Sequence, residues 1–124
     1  MKKYRGSCHC KTIQFEVEVD QPLTVHECNC SICSKSGYLH IIVSQSKFHL
    51  LKGQKNLATY LFNTGIAKHM FCKTCGIKSF YIPRSNPDGV DVNARCLDKL
   101  DMETVIDGKH WEKHSDELRH LSKD

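Results

Sequence analysis

The 124-residue sequence predicts a mainly β domain of antiparallel sheets with a short helical segment at its C-terminus. Three observations lead there. Residues 12–19 alternate strictly, with Ile13, Phe15, Val17 and Val19 on one side and Thr12, Gln14, Glu16 and Glu18 on the other, as in a half-buried strand. Short apolar runs then recur along the chain, each closed by glycine, proline, asparagine or aspartate. Only beyond Asp107-Gly108 does the spacing turn helical, with Trp111, Leu118 and Leu121 on one face and Glu112, Lys113, Asp116, Glu117 and Arg119 on the other.

Taken in order, residues 6–10 open the domain as a turn, with Gly6 supplying the bend, and the alternating strand follows over residues 12–19. Asp20-Gln21-Pro22 breaks it, and a short strand over residues 23–27 delivers the chain into a loop holding Cys28, Cys30 and Cys33. The run Tyr38-Leu39-His40-Ile41-Ile42-Val43 reads as a buried strand. Residues 48–51, ended by Gly53, and residues 57–62 read as two more. Asn63-Thr64-Gly65 is a hairpin turn. Residues 67–71 then enter, and residues 77–82 leave, a hairpin whose tip is Cys72-Lys73-Thr74-Cys75-Gly76. Glycine after the second cysteine tolerates the positive φ at which the chain reverses, letting backbone N–H groups face the sulfurs. Residues 83–89 are dense in turn formers, and residues 90–94 form the last predicted strand.

Composition narrows the function classes. Hydrophobic residues make up 40% and charged residues 26%, ordinary values for one soluble domain spanning residues 1–124, and no apolar run is long enough to cross a bilayer. No apolar stretch follows the basic start Met1-Lys2-Lys3, so no secretory signal is expected and the thiols are expected to stay reduced, in the cytoplasm or nucleus. The formal charge of +4 counts the cysteines as neutral; seven ligating thiolates and two zinc ions would bring it to about +1. Basic residues are scattered among acidic ones, so neither nucleic acid nor a membrane is an expected partner.

The cysteines carry the chemistry. They fall into Cys8/Cys10, Cys28/Cys30/Cys33, Cys72/Cys75 and the lone Cys96. A single cysteine is best read as a small buried hydrophobe, but three chelating clusters in one reduced chain read as zinc sites. The C-x-x-C at 72–75 lies between β runs, not at the start of a βαβ helix, so a redox dithiol does not fit. Seven ligands divide into a closed set of four and a remainder of three. Spacing alone leaves open whether Cys72/Cys75 join Cys8/Cys10 or the middle loop.

The segments Gly6-Ser7-Cys8-His9-Cys10, Cys28-Asn29-Cys30-Ser31-Ile32-Cys33 and Phe71-Cys72-Lys73-Thr74-Cys75-Gly76 together resemble the CENP-V/GFA family, the glutathione-dependent formaldehyde-activating enzymes and centromere protein V relatives, over a core of about residues 4–97, with residues 98–124 as a tail. Residues 48–53, 59–64 and 79–87, with Cys96-Leu97-Asp98, are similar to the centromere protein V branch. The resemblance implies an Mss4-like fold stapled by zinc, two zincs per chain, a structural zinc on Cys8, Cys10, Cys72 and Cys75, and an exchangeable one on Cys28, Cys30 and Cys33. It further implies the S-(hydroxymethyl)glutathione synthase reaction, a carbon–sulfur lyase activity on glutathione and formaldehyde. The branch similarity implies a second class, a zinc-stabilised binding module for protein or cytoskeletal partners.

A zinc carrying three thiolates is a weak Lewis acid for water but suits an incoming thiol, which it would hold ionised near neutral pH. Whether the fourth position is open is therefore decisive. Cys96, a soft thiolate at a strand end, is one candidate to close it, and His26, His40 and His69 lie on strands near the cysteine clusters. His9, between two ligands, is expected to point away from their metal. Arg84 and Arg95 could meet substrate carboxylates and Lys35 could flank the three-cysteine loop, although solvated surface charge is their ordinary role.

Overall fold

The structure, a computed structural model, describes residues 1–28, 31–62, 64–100 and 111–114, with Cys28 and residues 111–114 described by their backbone alone. Strands β1 (Lys2–Ser7), β2 (Gln14–Val19), β3 (Val25–Cys28), β4 (Leu39–Ser44), β5 (Phe48–Lys52), β6 (Leu57–Tyr60), β7 (His69–Cys72), β8 (Phe80–Tyr81), β9 (Gly89–Asn93) and β10 (Trp111–His114) form three sheets, and a short helix α1 (Ser31–Ser36) follows β3. The sheets run β1-β2-β5, β10-β3-β4-β9-β8 and β6-β7. All described pairings are antiparallel except that of β10 with β3. This is the mainly β, antiparallel architecture that the alternating and punctuated sequence predicts, and it is consistent with an Mss4-like fold.

The alternation in β2 does what its period requires. Phe15, Val17 and Val19 are buried while Gln14, Glu16 and Glu18 are partly exposed. Phe15 stacks on Phe48 of β5 at 5.5 Å between ring centroids, and Phe48 lies 4.6 Å from Phe80 of β8, so three aromatic rings join the first sheet to the second. Strand β9, buried at every residue, is flanked by β4 and β8 inside the five-stranded sheet.

Three local expectations are corrected. Gly6 does not supply a bend: it lies within β1 opposite Phe15. A Cβ on Gly6 would meet Phe15 Cζ at 2.4 Å and the Cys96 carbonyl oxygen at 2.7 Å, so glycine is needed there for close packing. The bend comes later, where Lys11 adopts a φ of 65° and donates its N–H to the Cys8 carbonyl at 3.2 Å. Gly6→Ala is accordingly expected to lower stability by about 1–3 kcal/mol, read as an earlier denaturation midpoint with an unchanged slope.

The loop expected around Cys28, Cys30 and Cys33 is partly regular. Cys28 ends β3 and Cys33 is a buried residue of α1, which stops at Gly37 with a φ of 66°. The Gly37 N–H closes on the Cys33 carbonyl at 3.0 Å. Six residues rich in serine are too short and too weak in helix propensity to leave a periodic signal. The C-terminal helix expected from Trp111 is a strand over Trp111–His114, paired in parallel with the free edge of β3 and satisfying its backbone groups. Leu118 and Leu121, which carried the helical spacing, lie outside the described residues.

Candidate metal centre and adjoining cavity

Two turns bring four cysteines together. Cys8 follows β1, and its N–H bonds to the Ile13 carbonyl at 3.1 Å while the Ile13 N–H reaches back to Cys8 Sγ at 3.3 Å. This exchange folds Thr12 and Ile13 into the turn, so β2 begins two residues later than the alternation suggests. Cys72 ends β7, and the reversal is closed by Gly76, whose φ is 78° and whose N–H bonds to the Cys72 carbonyl at 2.8 Å.

The sulfurs of Cys8, Cys10, Cys72 and Cys75 all lie within 4.8 Å of one another, and these four could hold a metal ion. Cys10 Sγ is 3.7 Å from both Cys8 Sγ and Cys72 Sγ. A tetrahedron with metal–sulfur bonds of about 2.3 Å has edges of about 3.8 Å, so the spacing fits a four-thiolate metal site. Among the described residues no other group of metal-ligating side chains comes together in this way. His9 is exposed beside the cluster and is not part of it.

Hydrogen bonds prepare three of the four sulfurs for the thiolate form. Burial pushes the Cys72 thiol up, but the N–H groups of Cys75 and Thr74 outweigh it and leave its pKa below the ordinary value. Cys75 is lowered in the same way, burial being outweighed by backbone contacts from Cys10 and Ile77, and Cys10 is lowered chiefly by the Thr12 side chain 3.1 Å away. Cys8 is the exception, pushed up to about 11 by burial against the lowering Ile13 N–H. A metal ion entering the site must displace that proton.

Asn56 supports the cluster. Its Nδ2 donates to Cys72 Sγ at 3.3 Å and to Thr74 Oγ1 at 3.0 Å, and its carbonyl accepts from the Lys73 N–H at 2.9 Å. Asn56→Ala is expected to weaken metal retention about 10–100-fold, measured by competition with a chromophoric chelator. An isolated asparagine before a strand carries no sequence signal for such a role.

Of the remaining cysteines, Cys33 is 5% exposed on α1. Cys30 and the Cys28 side chain lie outside the described residues. Cys96 is half-buried in a single 3₁₀ turn over Ala94–Cys96, its thiol raised by burial and partly lowered by the Ser79 side chain, and it is not one of the four clustered cysteines. Arg84, Lys35 and Arg95 are exposed, Arg95 donating from Nε to the Gly37 carbonyl at 3.3 Å.

A cavity of about 390 Å³, broadly open to solvent, is lined by Ile32, Tyr60, His69, Phe71, Gly76 and Lys78. Ile32 is the neighbour of Cys33, while Phe71 and Gly76 flank Cys72 and Cys75. Behind the cavity wall sits a buried polar cluster. His69 is sandwiched between the rings of Phe62 and Tyr81, with centroids at 5.0 and 4.9 Å, and its Nδ1 is 2.7 Å from Lys78 Nζ. Lys78 Nζ also lies 3.8 Å from the Tyr81 ring centroid and 4.9 Å from that of Tyr38. Asp91, 1% exposed on β9, meets His40 Nδ1 at 2.6 Å, and the Tyr38 hydroxyl donates to its main-chain carbonyl. Burial raises the Asp91 carboxyl pKa, against the lowering effect of His40. A carboxylate inside the apolar run Val90-Asp91-Val92 was a readable signal for this cluster; Lys78, on the exit from the cysteine turn, was not. His26 pairs with His40 across β3 and β4.

Fold and site together define a mainly β domain with a four-cysteine cluster able to hold a metal ion. The chain matches the family of glutathione-dependent formaldehyde-activating enzymes over residues 3–114 and belongs to that family. A crystal structure of a Rhodobacter sphaeroides protein is similar at a TM-score of 0.77 and 33% identity, covering 87% of this chain and 98% of that one.

Proposed function

We propose that this chain is a carbon–sulfur lyase of the S-(hydroxymethyl)glutathione synthase type, working in the reducing cytoplasm on a thiol such as glutathione and on formaldehyde or a similar small electrophile. In this reading it binds two zincs. Cys8, Cys10, Cys72 and Cys75 hold a structural one, and Cys28, Cys30 and Cys33 hold a second with a position left for the thiol. Family membership and the cysteine spacing support the assignment. The observation that carries it is the cavity beside Ile32, which gives a thiol and a small aldehyde a place to meet next to the three-cysteine stretch while the four-cysteine cluster draws its ligands from elsewhere.

The three-thiolate zinc would supply a thiol already ionised near neutral pH. The reaction forms one carbon–sulfur bond: the sulfur lone pair enters the carbonyl carbon, the C=O π pair moves to oxygen, and that oxygen takes the proton the thiol gave up. No electron leaves the pair of reactants. Ile32, Tyr60 and Phe71 would offer the reactants an apolar surface to rest against. Thiols add to aldehydes unaided, so the test is a turnover assay corrected for the uncatalysed rate, run beside calorimetry with glutathione. Acceleration well beyond background together with binding heat supports the reading; neither one appearing sinks it.

One observation favours the second reading, a binding module akin to the centromere protein V branch. Tyr60, Leu61 and Ile66, around the turn joining β6 and β7, are each more than half exposed, at 52%, 54% and 55%. The sequence alone pointed to no such group. Under this reading, charging Leu61 and Ile66, which do not line the cavity, would abolish partner binding and leave thiol binding untouched.

A further inference from the structure

We propose that His40 is an exchangeable fourth ligand of the metal on Cys28, Cys30 and Cys33, holding through Nε2 the position that the incoming thiol takes; this rests on the two-metal, thiol-addition reading above. His40 is 5% exposed on β4, and its Nε2 is buried with no hydrogen-bond partner among the described residues. An unpaired polar atom in that position carries an uncompensated desolvation cost and calls for a bound ion or water. The other ring nitrogen is engaged: Nδ1 lies 2.6 Å from Oδ2 of Asp91, which is 1% exposed. Burial disfavours the Asp91 carboxylate, while His40, Lys78 and Tyr81 favour it. A carboxylate on Nδ1 keeps the proton there and leaves the lone pair on Nε2, the arrangement in which histidine ligates a metal.

The direction of that lone pair follows from the sheet. Strand β4 lies between β3 and β9. The two nitrogens of an imidazole point in nearly opposite directions, so with Nδ1 turned to Asp91 on β9, Nε2 faces the β3 side. There His40 has His26 as its register partner, and β3 ends two residues further on at Cys28. The Tyr38 ring packs 4.7 Å from the His40 ring, and Cys33 of α1 is within electrostatic reach of Tyr38. The orphaned nitrogen therefore belongs to the part of the fold where β3 and α1 bring in the three-cysteine stretch.

A neutral imidazole is a weaker partner for such a metal than a soft, charged thiolate, so a thiol can displace it. The exchange balances: the thiol S–H bond breaks, the sulfur takes the metal position, and the proton goes to the Nε2 lone pair that the metal has released. Asp91 faces the imidazolium so formed. The same proton is then at hand for the product oxygen.

The test loads the full chain, with isotopically labelled histidine nitrogens, with an NMR-active cadmium isotope, a soft ion that accepts the same ligands. Two cadmium resonances are expected, one of them split by a single histidine nitrogen. His40→Gln removes the splitting and weakens retention of that metal about 10–100-fold, while the other resonance stays. Glutathione added to the native protein also removes the splitting. Two resonances without histidine coupling, or a coupling that survives in His40→Gln, overturn the assignment and leave the thiol-addition reading standing. A coupling that glutathione does not remove overturns the exchange and closes the site to a thiol. A single cadmium per chain sinks the two-metal reading and the ligand assignment with it. Should His40→Gln fail to fold, the coupled ring is identified in native protein by its nuclear Overhauser contacts to the Tyr38 ring, and a coupled ring lacking them overturns the assignment.

Discussion

Cys72→Ser is expected to abolish cooperative folding. Cys72 is fully buried and sits 62 residues along the chain from Cys10, whose sulfur it approaches to 3.7 Å, so the cluster ties the N-terminal turn to the β7 turn across half the sequence. Structural zinc in small domains contributes on the order of 10–16 kcal/mol, while a domain of this size is stable by only about 5–15 kcal/mol. Losing the whole metal contribution would exhaust the margin. The check is thermal unfolding followed by circular dichroism, with metal content measured in parallel: a broad transition without a cooperative step is expected. A sharp melt within a few degrees of native would mean that the aromatic core of Phe15, Phe48 and Phe80 suffices by itself.

Cys33→Ala should do the opposite, sparing the fold and removing the chemistry. Cys33 is buried on α1, where alanine is a good helix former and a small apolar replacement, so a stability loss of only about 1–2 kcal/mol is expected. If Cys28, Cys30 and Cys33 hold the second zinc, metal content falls from two to one per chain and turnover falls to the uncatalysed rate. Retention of both metals would remove Cys33 from the ligand set. Collapse of the fold would assign the three-cysteine stretch a structural role. The contrast between the Cys72 and Cys33 variants separates the two kinds of site more cleanly than either alone.

What the sequence revealed and what it hid follow from how far each signal reaches along the chain. The alternation of Ile13, Phe15, Val17 and Val19 is local and strongly periodic, and β2 appears where it predicts, save that Ile13 is drawn into the turn by its bonds with Cys8. The reversal at Gly76 was readable because a positive φ there leaves few residue choices. Gly6 misled because glycine serves two ends, a bend or a close approach, and only the position of the Phe15 ring, supplied by strand pairing, distinguishes them. Trp111 misled because four residues fit an edge strand as well as a helical face, and the free edge of β3 is not written in the residues near Trp111. Of the site, the cysteines announced themselves by spacing. Spacing left the pairing of Cys8/Cys10 with Cys72/Cys75 open, the family resemblance implied it, and the fold brings the four together. The cavity needed the fold, since Ile32, Tyr60, His69 and Lys78 converge from segments far apart in sequence.

The central claim is that Cys28, Cys30 and Cys33 hold a metal open to a thiol while Cys8, Cys10, Cys72 and Cys75 hold one that is closed. It is tested most directly by replacing the metal with cobalt and recording the thiolate-to-cobalt absorption as glutathione is added. The account predicts that about half of the cobalt spectrum, the half missing from Cys33→Ala, gains intensity saturably while the remainder stays fixed. A spectrum that glutathione leaves unchanged throughout would contradict it.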